Sequence, residues 1–388
     1  MSEVETLAEP TGEVKVAGSA TGESIRTRAR SECPVCGRPG LASHRDLVDA
    51  VWGAPGRWHL SRCHDRDCDM RWLDPMPGEE AGIGEPDDAA HAAAAPVAAA
   101  TQGLFARMKR AHLARAWGYP EPEPDWLADT LAPVIALLPQ HRGRLAASVA
   151  YLRGESRGRL LDVGCGAGDA IGRLRELGWD AEGVDPDPRA VEVARARGLR
   201  VALGTLAAQG YPPDHFEAVT FRHVIEHVPE PRAVMEESFR ILAPGGRLVI
   251  ETPNAGAWCH LLFGSNWRGL EPPRHLQVFT LAALARLTRD AGFHIERAET
   301  SSRAAAFFAA ASMAIVSARR GNSTTRDRWG STIGALATVV AASEALLLAL
   351  VPDVGEELVL VARKPAVAYA PAAVDRLAPR VLAPESAT

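Results

Sequence analysis

The sequence LLDVGCGAGD, residues 160–169, is the strongest structural signal in the chain. An apolar run ends at an acid, three glycines follow at alternate positions, and a helical pattern begins directly after them. Glycines let the backbone turn sharply and approach a ligand closely. The first turn of a helix offers unpaired N–H groups to an anion such as a carboxylate. The stretch therefore predicts a strand–loop–helix unit that binds a cofactor.

Strands and helices continue to alternate over residues 158–300. Strands separated by short helices predict a parallel sheet with right-handed crossovers, and hence an α/β fold. The second strand, DAEGVD, ends at Asp185, where a carboxylate can accept both hydroxyls of a ribose. The glycine spacing is GxGxG and not the GxGxxG of dinucleotide-binding loops, so an NAD-binding domain is only the alternative.

The segment FEAVTFRHVIEHVPEPRAVMEESFRILAPGGRLVIETPN, residues 216–254, adds a second motif. Together with the glycine loop and Asp185, it resembles the class I S-adenosylmethionine-dependent methyltransferases, in particular the ubiquinone-biosynthesis and related small-molecule enzymes. The resemblance covers residues 158–300 and a last strand near 356–364. It implies a Rossmann-like sheet of seven strands, with S-adenosyl-L-methionine as the cofactor.

The resemblance also implies which residues bind the cofactor. They are Asp162, Gly164, Cys165, Gly166 and Gly168 around the methionine part, Asp185 at the ribose, and Thr205 and Leu206 near the adenine.

Four of the six cysteines form two pairs near the N-terminus. Cys33 and Cys36 make a C-x2-C knuckle, and Cys63 and Cys68 make a looser C-x4-C pair in which His64 could replace Cys63. Two such pairs can close a tetrahedral zinc site that folds a small module, although four incidental thiols are the alternative. The following DMRWLDPMP resembles bacterial methyltransferases with an N-terminal ribbon, so we expect a structural zinc ribbon.

An HxxEH segment, residues 223–227, follows a predicted strand. The pattern matches a class of zinc proteases, but their motif needs a helix that presents both histidines on one face. The resemblance to ubiquinone-pathway and small-RNA methyltransferases instead implies a second divalent metal, with His223, Glu226, His227 and His275 as candidate ligands. Glu226, His227 and His275 are also the candidate catalytic residues. Without a metal, His227 or His275 would be the general base.

Composition narrows the partners. The 388 residues carry a net charge of −5, which disfavours a broad nucleic-acid surface. The N-terminus has no apolar segment of the kind found in signal peptides, so we expect a cytoplasmic protein. We expect O-methylation of a small molecule or a glycan. An RNA methyltransferase that uses the ribbon to bind nucleic acid is the alternative.

Composition also divides the chain into segments. We predict a disordered tail over 1–30, the ribbon over 31–78, a linker over 79–100, a helical cap over 101–155, the methyltransferase domain over 156–366 and a tail over 367–388. Within the domain, residues 303–352 form an apolar helical insertion. Because Glu344 argues against a membrane span, we expect a helical pair packed on the sheet, with a homodimer interface or peripheral membrane contact as alternatives.

Overall fold

The computed structural model describes residues 25–78, 103–120, 125–136, 139–319 and 331–366. Residues 1–24 of the predicted tail, the predicted linker over 79–100 and the predicted tail over 367–388 lie outside the described residues. The strands are β1 (Thr27–Arg28), β2 (Gly40–Leu47), β3 (Trp58–Cys63), β4 (Arg71–Leu73), β5 (Met76–Pro77), β6 (Arg159–Val163), β7 (Asp180–Asp185), β8 (Val201–Leu203), β9 (Phe216–Arg222), β10 (Leu242–Pro253), β11 (Gln277–Val278), β12 (His294–Ser301) and β13 (Glu357–Arg363). The helices are α1 (Leu104–Trp117), α2 (Trp126–Ala136), α3 (Pro139–Ser148), α4 (Asp169–Glu176), α5 (Pro188–Ala196), α6 (Pro231–Ile241), α7 (Trp258–Phe263), α8 (Leu281–Asp290), α9 (Ala305–Arg319) and α10 (Ser331–Leu348).

A central sheet of seven strands, in the order β12-β13-β10-β9-β6-β7-β8, organises the described part of the chain. Strands β10, β9, β6, β7 and β8 are parallel to one another, whereas β13 runs antiparallel to both β10 and β12. The strand order reverses between β6 and β9, which opens a crevice at the carboxyl ends of these two strands. The predicted Rossmann-like sheet of seven strands is confirmed.

Each face of the sheet has its own core. On β6, Leu160 faces the core that α3, α4 and α5 cover, whereas Leu161 faces the core that α6 and α8 cover. Both leucines are fully buried. A continuous apolar run such as LLDV is what a strand needs when helices cover both faces of its sheet.

The cysteine-bearing module shares a sheet with the rest of the chain. Strands β2, β3 and β4 pair antiparallel, and β4 then pairs with β11, which follows β10 in the chain. Gln277 lies opposite Trp72, and Val278 opposite Arg71. The module and the central domain are therefore joined by backbone hydrogen bonds as well as by side chains.

Within the predicted disordered tail, the structure describes residues 25–30 and places a strand there. Strand β1 pairs with β5. Arg28 and Arg30 reach Glu230 beyond β9, with nitrogen–oxygen distances of 2.7 and 3.1 Å. Ion pairs between residues so far apart in the sequence leave no sign in the local composition on which the prediction was based.

The apolar insertion contains two helices that contact each other, α9 and α10. Phe308 of α9 and Ala337 of α10 join an apolar cluster with Trp58 and Leu60 of β3 and Trp267 after β10. The expected surface for this helical pair was the central sheet. The pair instead packs on the cysteine module and on the segment after β10. Among the described helices, none combines the length and apolarity that crossing a membrane requires.

The end of α1 is held close to the start of the central sheet. Tyr119 donates its hydroxyl to the carbonyl oxygen of Leu152 at 3.0 Å and accepts a hydrogen bond from Trp179 Nε1 at 3.1 Å. Here the backbones of Gly118 and Gly154 touch, because a Cβ on Gly154 would lie 2.3 Å from the Gly118 carbonyl oxygen.

We expect Gly154→Ala to lower the thermal midpoint of unfolding by at least about 2 °C, since overpacking against backbone costs about 1–3 kcal/mol. The control is Gly143→Ala in α3, where a Cβ would meet no atom within 4 Å. Helix propensity favours alanine there, so the midpoint should hold or rise. Equal midpoints for the two variants would contradict the close approach.

Candidate functional site

The glycine loop connects β6 to α4 at the crevice. Gly164, Gly166 and Gly168 have φ values of +66°, +53° and +81°, in the left-handed region that glycine adopts without strain. A Cβ on Gly164 would lie 2.4 Å from Val224 Cγ2. The loop is therefore packed directly against the HxxEH segment.

Two carboxylates border this loop. Asp185 Oδ2 accepts from the backbone N–H of Gly166, and Oδ1 accepts from that of Asp187, both at 2.8 Å. Asp162 is buried at the end of β6, accepts from Thr220 Oγ1 at 2.6 Å, and has its pKa raised by burial. The predicted acids thus lie at the ends of neighbouring parallel strands, on one edge of the sheet.

The remaining predicted cofactor residues differ in accessibility. Thr205 is exposed after β8, whereas Leu206 is buried in one of the two sheet cores. Cys165 is half-buried in the glycine loop, and burial raises the pKa of its thiol. Of the pair predicted near the adenine, Thr205 is the residue whose side chain is open to a ligand.

Three of the predicted metal ligands lie together. The last three residues of the HxxEH segment, Ile225–His227, form a single 3-10 turn after β9. The potential ligand atoms of Glu226, His227 and His275 lie within 4.8 Å of one another. The two imidazole rings meet edge to face, with centroids 4.9 Å apart. Burial, followed by the nearby His227, lowers the pKa of His275 to about 3.

Hydrogen bonds leave lone pairs available in this cluster. His227 Nδ1 donates to the Arg274 carbonyl at 3.0 Å, and His275 Nδ1 donates to the Gly269 carbonyl at 2.8 Å. Because a carbonyl only accepts, each neutral ring keeps Nε2 as an acceptor. Glu226 is fully buried, its Oε2 accepts from Thr252 Oγ1 at 2.9 Å, and its Oε1 lies 3.4 Å from His223 Nδ1. Carbonyl-oriented imidazoles beside a carboxylate are the usual surroundings of a divalent transition metal.

His223 does not belong to this cluster. Its backbone has a φ of +56°, and its Nε2 lies 3.0 Å from Glu357 Oε1, while its Nδ1 lies 3.4 Å from Glu226 Oε1. Burial alone would lower its pKa, but the two carboxylates raise it to about 10. A protonated imidazole has no lone pair for a metal. The ligand atoms of His223 do not join the group that the other three candidates form.

A cavity of about 410 Å³ opens beside His223. Its lining is mostly charged and comes from α3, α4, the ends of β9 and β10, the turn before α9 and the start of β13. The charged lining residues are Arg144, Arg173, Arg222, His223, Glu251, Arg303 and Glu357. The sequence analysis missed the arginines, because only the folded chain brings them together. The one local signal was Arg222, which directly precedes the HxxEH segment.

Comparisons with known proteins agree with this geometry. Residues 138–298 match the family model of a methyltransferase domain. The ubiquinone biosynthesis O-methyltransferase of Thiobacillus denitrificans is 32% identical over 151 residues, which cover 36% of this chain and 65% of the relative. Residues 138–298 therefore form a class I methyltransferase domain.

Two further proteins are similar to this chain. A protein of the same description from Xanthomonas oryzae pv. oryzae is 37% identical over 105 residues, which cover 25% of this chain and 43% of the relative. A solved SAM dependent methyltransferase from Archaeoglobus fulgidus aligns with a TM-score of 0.39 and 16% identity, over 62% of this chain and 100% of that chain. The chain spans less than two thirds of the length of the curated relatives it matches.

The four N-terminal cysteines converge beside the methyltransferase domain. Their sulfur atoms lie within 4.8 Å of one another, with 3.7 Å between Cys33 and Cys68 and 3.3 Å between Cys36 and Cys63. Zinc–sulfur bonds of about 2.3 Å place tetrahedral sulfurs about 3.8 Å apart, so these thiols fit a zinc ion. His64, the alternative ligand, is exposed and does not join the group.

The loop between β2 and β3 connects the cysteine module to the histidine cluster. Asp49 forms a buried ion pair with Arg274 at 2.7 Å, and both side chains are at most 4% exposed. Trp52 Nε1 donates to Glu271 Oε1 at 2.9 Å, and Glu271 Oε2 lies 3.4 Å from His275 Nε2. The module therefore holds the segment of the methyltransferase domain that carries His275.

We expect Asp49→Asn to destabilise the protein by about 3–5 kcal/mol at neutral pH, because Arg274 would keep its charge in a buried place. Burial would raise the pKa of Asp49, but the hydrogen bonds from Arg274 and from backbone N–H groups lower it. The contribution of the pair is thus complete above the ordinary aspartate pKa, near 3.9, and is lost as the pH falls through the lower pKa of the folded protein.

Thermal unfolding at pH 7 and at successively lower pH measures this effect. The gap between wild type and Asp49→Asn should narrow as the acid titrates. The control is Asp46→Asn near the end of β2, since Asp46 is exposed and its contact with Arg57, at 4.0 Å, is weak. A gap for Asp49→Asn that stays constant with pH would rule out the ion pair as its cause.

Proposed function

We propose that this chain transfers the methyl group of S-adenosylmethionine to an oxygen of a small molecule or glycan. One observation carries the proposal: within a methyltransferase domain, the glycine loop and Asp185 meet at the crevice where the strand order reverses. The sulfonium is already an activated donor. The protein has only to align the acceptor, exclude water and remove a proton.

The loop and Asp185 would bind the two ends of the cofactor. Asp185 uses one lone pair of each carboxylate oxygen for Gly166 and Asp187. A carboxylate oriented in this way at the end of the second strand is placed to accept the hydroxyls of a ribose. The N–H groups at the start of α4 would receive the methionine carboxylate.

We propose a second role for the histidine cluster. Glu226, His227 and His275 would hold a divalent metal such as Mn²⁺, Fe²⁺ or Zn²⁺, which lowers the pKa of an acceptor hydroxyl that it binds. The support is that the fully buried carboxylate of Glu226 lies within 4.8 Å of the two imidazoles, which backbone carbonyls orient. The chain itself orients His227 and His275 through Arg274 and Gly269, and either Nε2 could accept the proton directly.

We propose that the cysteine cluster binds structural zinc. Four thiolates fill a tetrahedral shell, so no position remains open for a substrate. The bound ion would stabilise the module that carries Asp49 and Trp52, and through them the position of His275.

Asp185→Asn should weaken S-adenosylmethionine binding about ten- to a hundredfold, because a hydrogen bond to a charged group contributes about 1.5–3 kcal/mol. Isothermal titration calorimetry measures the dissociation constant. The matched control is Asp180→Asn at the opposite end of β7, where Asp180 is exposed and pairs with Arg200. An unchanged constant in Asp185→Asn would contradict the ribose assignment.

Elemental analysis should find two metal ions per chain. Cys36→Ser should lose the zinc, and Glu226→Gln should lose the second metal while keeping the zinc. His64→Ala is the control for the ribbon, because His64 lies outside the sulfur cluster. Loss of zinc in His64→Ala would return His64 to the ligand set. A single metal in both wild type and Glu226→Gln would leave a histidine base as the mechanism.

A further inference from the structure

The arginines of the cavity beside His223 are not equivalent. Arg303 contacts Glu251 and lies 2.9 Å from Glu357, and Glu357 also pairs with His223 at 3.0 Å. Both carboxylates of the lining are thus paired with Arg303. Within the described part of the chain, the other arginines of the lining form no ion pair with them.

Arg144, Arg173 and Arg222 form no hydrogen bond or ion pair through their side chains with any residue that the structure describes. The Nε of Arg222 is buried without a hydrogen-bond partner in that part of the chain. A buried donor without a partner carries the full cost of its lost hydration. A ligand that accepts hydrogen bonds at this point would remove that cost.

Arg173 and Arg222 also oppose each other. Burial lowers the pKa of Arg173, and the nearby charge of Arg222 lowers it further. The carboxylates of Asp169, Asp162 and Glu176 act on Arg173 in the opposite sense, but none of them forms an ion pair with it among the described residues. Two neighbouring guanidinium groups repel, and oxyanions such as carboxylate and phosphate are the groups that guanidinium binds best.

The proposed cofactor does not supply this anion. S-adenosylmethionine carries one carboxylate against an ammonium and a sulfonium, so its net charge is positive. Its carboxylate has its proposed place at the start of α4. A surplus of positive charge beside a sulfonium therefore calls for an anion on the other reactant.

We propose that the methyl acceptor carries an oxyanion, a carboxylate or a phosphate, which Arg222 and Arg173 bind in this cavity. The proposal rests on the proposed function and specifies the class of its acceptor. Arg144 lies at the exposed rim of the same cavity and would bind the outer part of such a group.

Three probes separate the sources of the anion: inorganic phosphate, 3,4-dihydroxybenzoate and its uncharged counterpart catechol. Each is titrated by calorimetry at constant ionic strength into the protein, with and without S-adenosylhomocysteine. We expect 3,4-dihydroxybenzoate to bind at least about tenfold more tightly than catechol, or phosphate to bind where chloride does not. The first result identifies a carboxylate and the second a phosphate.

The variants are Arg222→Gln, Arg173→Gln and Arg222→Lys, and the control is Arg200→Gln. Arg200 is half-exposed and pairs with Asp180 outside the cavity, so it matches the change in net charge. The preference for the anion should fall at least about fivefold in both glutamine variants, recover in part in Arg222→Lys, and persist in Arg200→Gln. Thermal unfolding shows whether each variant is folded. If Arg222→Gln does not fold, the result for Arg173→Gln tests the proposal in its place.

Two results would overturn the proposal. Wild type without any preference for an anion would exclude an oxyanion site. Glutamine variants that lose S-adenosylhomocysteine affinity as strongly as anion affinity would assign the arginines to the cofactor carboxylate. If S-adenosylhomocysteine fails to bind wild type, the proposed function fails, and the titrations without it still decide whether the cavity binds anions.

Discussion

The pairing of β4 with β11 is the contact on which the arrangement of the site depends. It makes one sheet from two distant parts of the chain, the cysteine module and the segment after β10. The segment just before β11 carries Glu271, Arg274 and His275, and Thr280 just after it donates to the Cys68 carbonyl. A strand of two residues could not hold this position alone. The module therefore acts as a support for the histidine cluster.

Much of the central domain could be predicted because its signals are local. The alternation of LLDV, three glycines and a helix requires one geometry at each position, and the structure has the left-handed glycines at Gly164, Gly166 and Gly168. The same alternation of strands and helices predicts where each strand ends, and therefore where Asp162 and Asp185 lie. The shared sheet could not be predicted, because Gln277 and Val278 show no local sign of pairing with Trp72 and Arg71.

The site was predictable only in part, for electrostatic reasons. The spacing of HxxEH suggests that His223 joins Glu226 and His227, but its partner Glu357 lies on the last strand and attracts its ring. The charge balance of the cavity likewise depends on which arginine reaches which carboxylate. Arg303 forms ion pairs with two carboxylates, whereas Arg173 and Arg222 form no ion pair in the described part of the chain. Such pairings belong to the tertiary structure and leave no periodicity in the sequence.

Glu344 is a buried acid in the apolar helix α10. As a charge in an apolar segment it disfavoured a membrane span, yet it is buried, and burial beside Glu356 raises its pKa to about 9. Burial therefore favours the neutral form of this carboxyl, and its Oε1 accepts a hydrogen bond from the Glu356 backbone N–H at 3.0 Å. A neutral acid costs an apolar helix less than a charged one.

The position of β13 has a consequence for how the chain is made. This strand lies between β10 and β12 but follows both of them, and the helical insertion, in the sequence. At about 5–20 residues per second, a ribosome needs several seconds to pass from β12 to the end of β13. During that time β10 has an open edge and β12 has no partner in the sheet. Open strand edges are the surfaces on which nascent chains associate wrongly, so the length of the insertion sets how long a chaperone would have to protect them.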